Sequence, residues 1–183
     1  MLKTLTLTAL LVPLVAIMGC APVVIGTSVA TGAAVAHDRR SVGTFIEDQE
    51  IYLRALRLKD ENPQLAERLN VTVTPYNLQV LLTGQAASDR DSAEYADLIA
   101  RIPRVRKVYN EVETAAEATW SAAVNDAYLS SKVKLALFDL EIEDFDPTRV
   151  KITTAKKTVY LMGLLTPAEA DAVTDKVRFL SGV

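Results

Sequence analysis

Two stretches of this chain repeat one another, and a repeated unit must obey one set of folding rules in both places. Asn70-Val71-Thr72-Val73-Thr74 matches Arg149-Val150-Lys151-Ile152-Thr153, and Val80-Leu81-Leu82-Thr83-Gly84 matches Val159-Tyr160-Leu161-Met162-Gly163, both at an offset of 79. Ile102-Pro103-Arg104-Val105 then matches Leu180-Ser181-Gly182-Val183 at an offset of 78. Independent anchors at nearly one spacing indicate a duplication, which sets the architecture ahead of any local propensity.

Within each copy the hydrophobic period changes. Val71/Val73 and Leu78/Val80/Leu82 alternate with polar Thr72 and Gln79, the period of half-buried strands. Pro75-Tyr76-Asn77 between them predicts the turn of a hairpin. Ser88 is placed to cap a following helix, and Thr166-Pro167 takes that part in the second copy, with Pro at the first helical position. Tyr95, Ile99 and Ile102 fall at helical spacing, as do Ala170, Val173, Val177 and Leu180. A further helix is predicted upstream of each hairpin, over Glu47 to Lys59 and over Asp126 to Leu140, where Leu129, Val133, Ala136 and Leu140 share a face. Val105 to Val112 alternates as a third strand, so the first unit reads α-β-β-α-β. The second copy stops at Val183, before such a strand, so the expectation is that either the chain is truncated or the second unit completes its sheet some other way. An unpaired edge would invite strand addition from another chain.

The front of the chain is of another kind. No charged residue lies between Lys3 and His37. Leu5 to Met18 is an apolar run of signal-peptide length, shorter than the roughly 20 apolar residues of a membrane span. It ends at Ile17-Met18-Gly19-Cys20, and Cys20 is the only cysteine. The alternative is an uncleaved membrane helix, which Pro13, Gly19 and Pro22 would interrupt. The Gly-Cys terminus resembles the bacterial lipobox, which implies lipidation of Cys20 as the first residue of the mature chain, with several acyl chains for stable residence in a membrane. Ala21, where an inner-membrane retention signal would place Asp, implies the outer membrane, facing the periplasm.

The helix–hairpin–helix order, the Leu-Leu-Thr-Gly84 and Leu-Met-Gly163 strand ends, the Val-Arg-Lys-Val108-Tyr-Asn-Glu segment, the lipobox and Asp38-Arg-Arg-Ser41-Val-Gly-Thr44 together resemble the dual-BON outer-membrane lipoproteins. The resemblance runs from the lipobox to the last residue. It implies an α+β fold of two tandem BON domains, each a small mixed sheet with two helices on one face. The expected boundaries are a signal peptide over 1–19, a lipidated linker over 20–44, a first BON domain over 45–113, a linker over 114–123 and a second BON domain over 124–183, cut short at its C-terminus.

The residue inventory argues against chemistry. One His and one Cys exclude Cys–His nucleophiles and most metal sites. No G-x-S-x-G elbow or phosphate loop occurs. The acidic run Asp139 to Asp146 fails as an EF-hand, since its sixth and twelfth positions are Asp144 and Val150. Gly84 and Gly163 read as backbone requirements at strand ends. No enzyme activity and no cofactor are expected. A formal charge of −3 argues against a nucleic-acid partner.

A membrane surface fits better. In the resembling family the first helix of the second unit carries an aromatic that meets anionic phospholipid, and Tyr128 falls at its position. With Leu129 and Val133 toward the core, Tyr128 and Leu135 share an adjoining flank with Lys132 and Lys134 nearby, an amphipathic arrangement suited to headgroups. The competing reading has Tyr128 capping the core or packing on the first unit. Trp120, just upstream, is a second candidate for lipid or interdomain contact. The expected ligand set is therefore Tyr128, Leu129, Lys132, Lys134, Leu135 and Trp120, toward phosphatidylglycerol or cardiolipin. By resemblance the role is maintenance of envelope integrity, at division sites among others, with outer-membrane assembly machinery or cell-wall amidase regulators as partners. The alternative function is a periplasmic chaperone or adaptor that binds envelope proteins.

Overall fold

The computed structural model describes residues 38–115 and 120–183. Helix α1 (Val42–Glu61) starts at Ser41, whose hydroxyl accepts the Thr44 amide, and is followed by the single turn α2 (Pro63–Ala66). Strands β1 (Leu69–Tyr76) and β2 (Gln79–Ala86) pair antiparallel from Leu69↔Ala86 to Tyr76↔Gln79. Helix α3 (Asp89–Ala100), capped by the Ser88 hydroxyl, carries the chain across to β3 (Lys107–Thr114), which pairs parallel with β2 from Gln79↔Lys107. A parallel pair needs such a crossover. The result is a mixed sheet in the order β1-β2-β3.

The second lobe runs α4 (Trp120–Phe138), a short 3-10 turn (Pro147–Arg149), β4 (Val150–Ala155), β5 (Thr158–Gly163) and α5 (Pro167–Arg178). Its sheet is the antiparallel pair β4-β5. Thr166 and Glu169 form a reciprocal capping box at the start of α5, satisfying two amides that a helix terminus leaves unpaired.

Each lobe has its own core. Ile51 and Ala55 of α1, Tyr95 and Ile99 of α3, and Val71, Val73, Val80 and Leu82 of the sheet form the first. The Tyr95 hydroxyl donates to the Ala55 carbonyl at 3.1 Å, and burial pushes its pKa up to about 12. Leu129, Val133 and Leu137 of α4, Val150 of β4, and Val173 and Val177 of α5 form the second. Strand β2 is also buried on its helix-free side, through Leu81, Thr83 and Gln85. Polar contacts between described residues join that side of the first sheet to the second lobe. The Tyr76 hydroxyl donates to the Arg149 carbonyl at 3.0 Å, Thr74 and Thr153 hydroxyls meet at 3.3 Å, and Lys156 pairs with Glu113 at 2.7 Å.

Three expectations need correction. The first hairpin turns at Asn77-Leu78, not over Pro75–Asn77, which leaves Pro75 and Tyr76 in β1. Both turn residues have positive φ, 52° and 64°, the geometry of a two-residue turn matched to strand twist. Leucine is a poor choice there, and the conformation is held by buried Asp48, whose carboxylate accepts the Asn77 and Leu78 amides at 2.8 Å each. Second, α4 begins at Trp120, inside the segment read as a linker. Third, Asp38–Ser41, assigned to the lipidated linker, is bonded to both lobes.

Candidate functional site

The outer side of α4 is the candidate site. At 100° per residue, positions 124, 128, 135 and 138 lie on one stripe, opposite the stripe that buries Leu129, Val133 and Leu137. All four are apolar and exposed: Val124 by 51%, Tyr128 by 70%, Leu135 by 70% and Phe138 by 58%. The helix is therefore apolar on two opposite sides, one satisfied by the core and one facing out. Among the described residues nothing covers Tyr128, so it neither caps the core nor packs on the first lobe. Exposed apolar side chains grouped on one side of a helix make it a candidate interaction surface.

The predicted residues separate. Tyr128 and Leu135 share the stripe, and Lys134 is exposed on one flank. Leu129 is 5% exposed and belongs to the core, so it supports the surface without forming part of it. Lys132, on the other flank, is half-buried and donates to the Ser181 carbonyl at 2.8 Å and to the Ser181 hydroxyl. It holds the segment after α5 against α4, where Gly182 lies beside Leu129. Phe179, two residues before Ser181, is exposed with Arg178 over its ring. The Trp120 side chain, His37 and Cys20 lie outside the described residues.

The two glycines differ. Gly84 has φ +120°, and a Cβ there would sit 2.2 Å from the Asn70 carbonyl oxygen across the hairpin, so both conformation and space require glycine. At Gly163 the nearest neighbour of a Cβ is the Leu165 side chain at 3.1 Å, a tight but adjustable contact. Among the described residues no group of three or more His, Cys, Asp or Glu could hold a metal ion, and Asp146 of the acidic run caps the 3-10 turn through the Thr148 amide.

Sequence reasoning missed Val124 and Phe138, which extend the Tyr128–Leu135 stripe at i−4 and i+3 and could have been found by continuing that spacing. It also missed a pair of turn-holding acids. In the second lobe Asp126 of α4 accepts the Lys156 and Lys157 amides at 2.8 and 2.9 Å, and those residues have φ 48° and 68°. Asp48 serves the Asn77-Leu78 turn in the same way, and the two acids are 78 residues apart, within one of the offset of 79 that relates the hairpins they hold. The repeat was the available signal.

Comparison with known proteins places this architecture. The BON domain family matches residues 57–116, from the last five residues of α1 through β3. Over 169 residues, 91% of this chain and 85% of the relative, the chain is 30% identical to the outer membrane lipoprotein DolP of Haemophilus influenzae. This chain belongs to the BON-domain lipoprotein family of DolP. It is also 32% identical over 146 residues, 80% of the chain and 74% of the relative, to the 21 kDa hemolysin of Actinobacillus pleuropneumoniae. Like DolP, the chain is read as an envelope-related BON-domain protein. Among its described residues no helix is long and apolar enough to cross a membrane.

Proposed function

We propose that the chain is a non-enzymatic, lipid-anchored protein of the outer membrane's periplasmic face, that its second lobe is a second BON unit, and that the outer side of α4 docks on anionic phospholipid. The duplicated Asp-held turn supports the second unit. So does the turn that follows the last helix of each lobe, with Val105 N–H donating to Ile102 O at 3.2 Å and Val183 N–H to Leu180 O at 3.1 Å.

One observation carries the lipid reading. The offset that superposes Asp48 on Asp126 also superposes buried Ile51 on Leu129 and Ala55 on Val133. It then sets exposed Tyr128 opposite Glu50, Leu135 opposite Arg57 and Phe138 opposite Asp60. The first unit presents charges to water at the places where the second presents an aromatic and two other apolar side chains. A helix with an aromatic-aliphatic outer stripe and lysine on its flank suits the headgroup–acyl boundary, where each lysine near an anionic surface contributes about 1 kcal/mol. Lys134 is the freer of the two, since Lys132 is engaged by Ser181. On this reading the protein helps maintain outer-membrane and envelope integrity, with recruitment to division sites as a consequence of its lipid preference.

The test is co-sedimentation of the non-lipidated body with vesicles of phosphatidylglycerol or cardiolipin in phosphatidylcholine. Binding should fall on Tyr128→Ala with Leu135→Ala. Binding that survives this pair unchanged, or that fails to exceed binding to phosphatidylcholine alone, refutes the reading and favours the adaptor alternative.

A further inference from the structure

The Asp38–Ser41 segment lies on the line where the lobes meet, and its two arginines point to different lobes. Arg39 forks onto Glu169 of the second lobe, Nη1 to Oε2 at 2.5 Å and Nη2 to Oε1 at 2.9 Å, and Nη1 also donates to the Leu164 carbonyl at 3.0 Å. Arg40 turns to the first lobe. It donates to Asp48 at 2.8 Å, is braced by Asp38 at 2.6 and 2.9 Å, and sits over the Tyr76 ring with its guanidinium carbon 4.0 Å from the centroid. Tyr76 completes the circuit: its hydroxyl donates to the Arg149 carbonyl at 3.0 Å and accepts the Leu164 amide at 3.3 Å. Leu164 is thus held on both sides, its N–H by the first lobe and its carbonyl by the entering chain.

We propose that Asp38–Ser41 is a clasp that locks the two lobes into one rigid body, with Arg39 and Arg40 as its positioning residues. Bidentate Arg–carboxylate pairs fix geometry as well as charge, and here the acceptor, Glu169, is 3% exposed and anchored by the capping box of α5. The other carboxylate, Asp48, is 2% exposed and holds the first hairpin turn. The clasp therefore grips a buried, hydrogen-bonded carboxylate in each lobe. Among the described residues the seam also holds the Thr74–Thr153 hydroxyl pair, the exposed Lys156–Glu113 ion pair and the buried helix-free side of β2, and to these the clasp adds a charged grip on each lobe. The segment Asp38–Ser41 also leads directly into α1, so the clasp is continuous with the first helix of the first lobe. The inference stands apart from the lipid reading, since no clasp residue lies on the α4 stripe.

The test uses the full chain carrying Cys20→Ser, with spin labels on cysteines introduced at exposed Glu61 and Asp171, one in each lobe. The parent should give one narrow inter-label distance distribution. Arg39→Ala should broaden it and speed hydrogen exchange at the Leu164 amide on the order of ten-fold, while the core amides of Leu82 and Val133 keep their protection. A merely structural role would lower protection in a core without changing the distance distribution. A narrow distribution and unchanged Leu164 exchange in Arg39→Ala overturn the proposal. If Arg39→Ala does not fold, Arg39→Lys, which keeps the charge and loses the fork, must still raise Leu164 exchange, and no rise overturns it equally.

Discussion

Acidification should uncouple Glu169 from the protein's stability in a way that can be worked out in advance. Its carboxylate takes both guanidinium nitrogens of Arg39 and the Thr166 amide at 2.7 Å. The Arg39 hydrogen bonds first, then the Thr166 amide, hold its pKa at about 2 in place of 4.5. A depressed folded pKa means that the ionised form is favoured by folding. The contribution is complete above the unfolded value near 4.5 and is lost as pH falls through the folded value near 2. At about 1.4 kcal/mol per pH unit the ceiling is about 3 kcal/mol, and screening at the partly exposed Arg39 reduces it to about 2 kcal/mol. The assay is urea unfolding followed by circular dichroism, on the parent and on Glu169→Gln, from about pH 6 down to about pH 2. At the upper end Glu169→Gln should be less stable by about 2 kcal/mol, and the two curves should converge as Glu169 protonates in the parent. Asp38 and Asp91 also titrate below the usual carboxylate range, Asp91 through Ser88 and Arg68, and Asp38 because its hydrogen bonds to Arg40 outweigh an opposing desolvation. Their losses occur in both proteins and cancel in the difference. A gap that stays constant across the range, or no gap near pH 6, refutes the argument.

Four further outcomes follow from the geometry. Gly84→Ala should cost about 3 kcal/mol or more, because the added Cβ meets rigid backbone at 2.2 Å and φ is +120°, whereas Gly163→Ala should cost about 1 kcal/mol; thermal melts that rank the two alike would contradict this. Asp126→Ala leaves the Lys156 and Lys157 amides without their acceptor and should destabilise by about 1–2 kcal/mol, with exchange rising first at the β4-β5 turn. Tyr128→Ala should leave urea stability within about 0.5 kcal/mol, since the side chain is 70% exposed, so any loss of vesicle binding in that variant reports on the surface and not on folding. Cys20→Ser should abolish acylation in the full chain, and an unchanged mature mass with full membrane retention would refute the lipobox reading.

What could be read from the sequence was set by period and by repetition. Val71, Val73, Val80 and Leu82 alternate because one side of the sheet meets helices, and all four are buried as that pattern requires. Ser88 and Thr166 cap the helices they precede because a hydroxyl at that position satisfies an amide that the helix cannot. What escaped depended on contacts between residues far apart. Pro75-Tyr76-Asn77 looks like a turn by composition, but Asp48, some thirty residues upstream, pins the Asn77 and Leu78 amides and shifts the turn by two. Arg39 and Arg40 look like solvated linker charges until Glu169 and Asp48 are placed beside them.

The duplication separates what the fold needs from what one copy does with it. The acid that holds each hairpin turn, the two-residue turn with positive φ, the helix-capping hydroxyl and the apolar side of the first helix occur in both copies, and each satisfies a backbone group or fills a core. The outer side of that helix has no such duty, and there the copies part: Glu50 and Arg57 against Tyr128 and Leu135. Burying a stripe like the second against water's alternatives is favourable by roughly 25 cal/mol per Å² of apolar area, whereas Glu50 and Arg57 at those positions would have to be desolvated first. If α1 served the same surface, Glu50, Arg57 and Asp60 would oppose docking where Tyr128, Leu135 and Phe138 stand, and only exposed Ile46, opposite Val124, would be apolar as well. On the proposed lipid reading the asymmetry puts docking on the second lobe, and transplanting the stripe is the direct check. Glu50→Tyr with Arg57→Leu in a Tyr128→Ala/Leu135→Ala background should restore part of the vesicle binding if the stripe alone suffices. No recovery would show that the surroundings of α4, Lys134 and the Phe179 segment among them, are required as well.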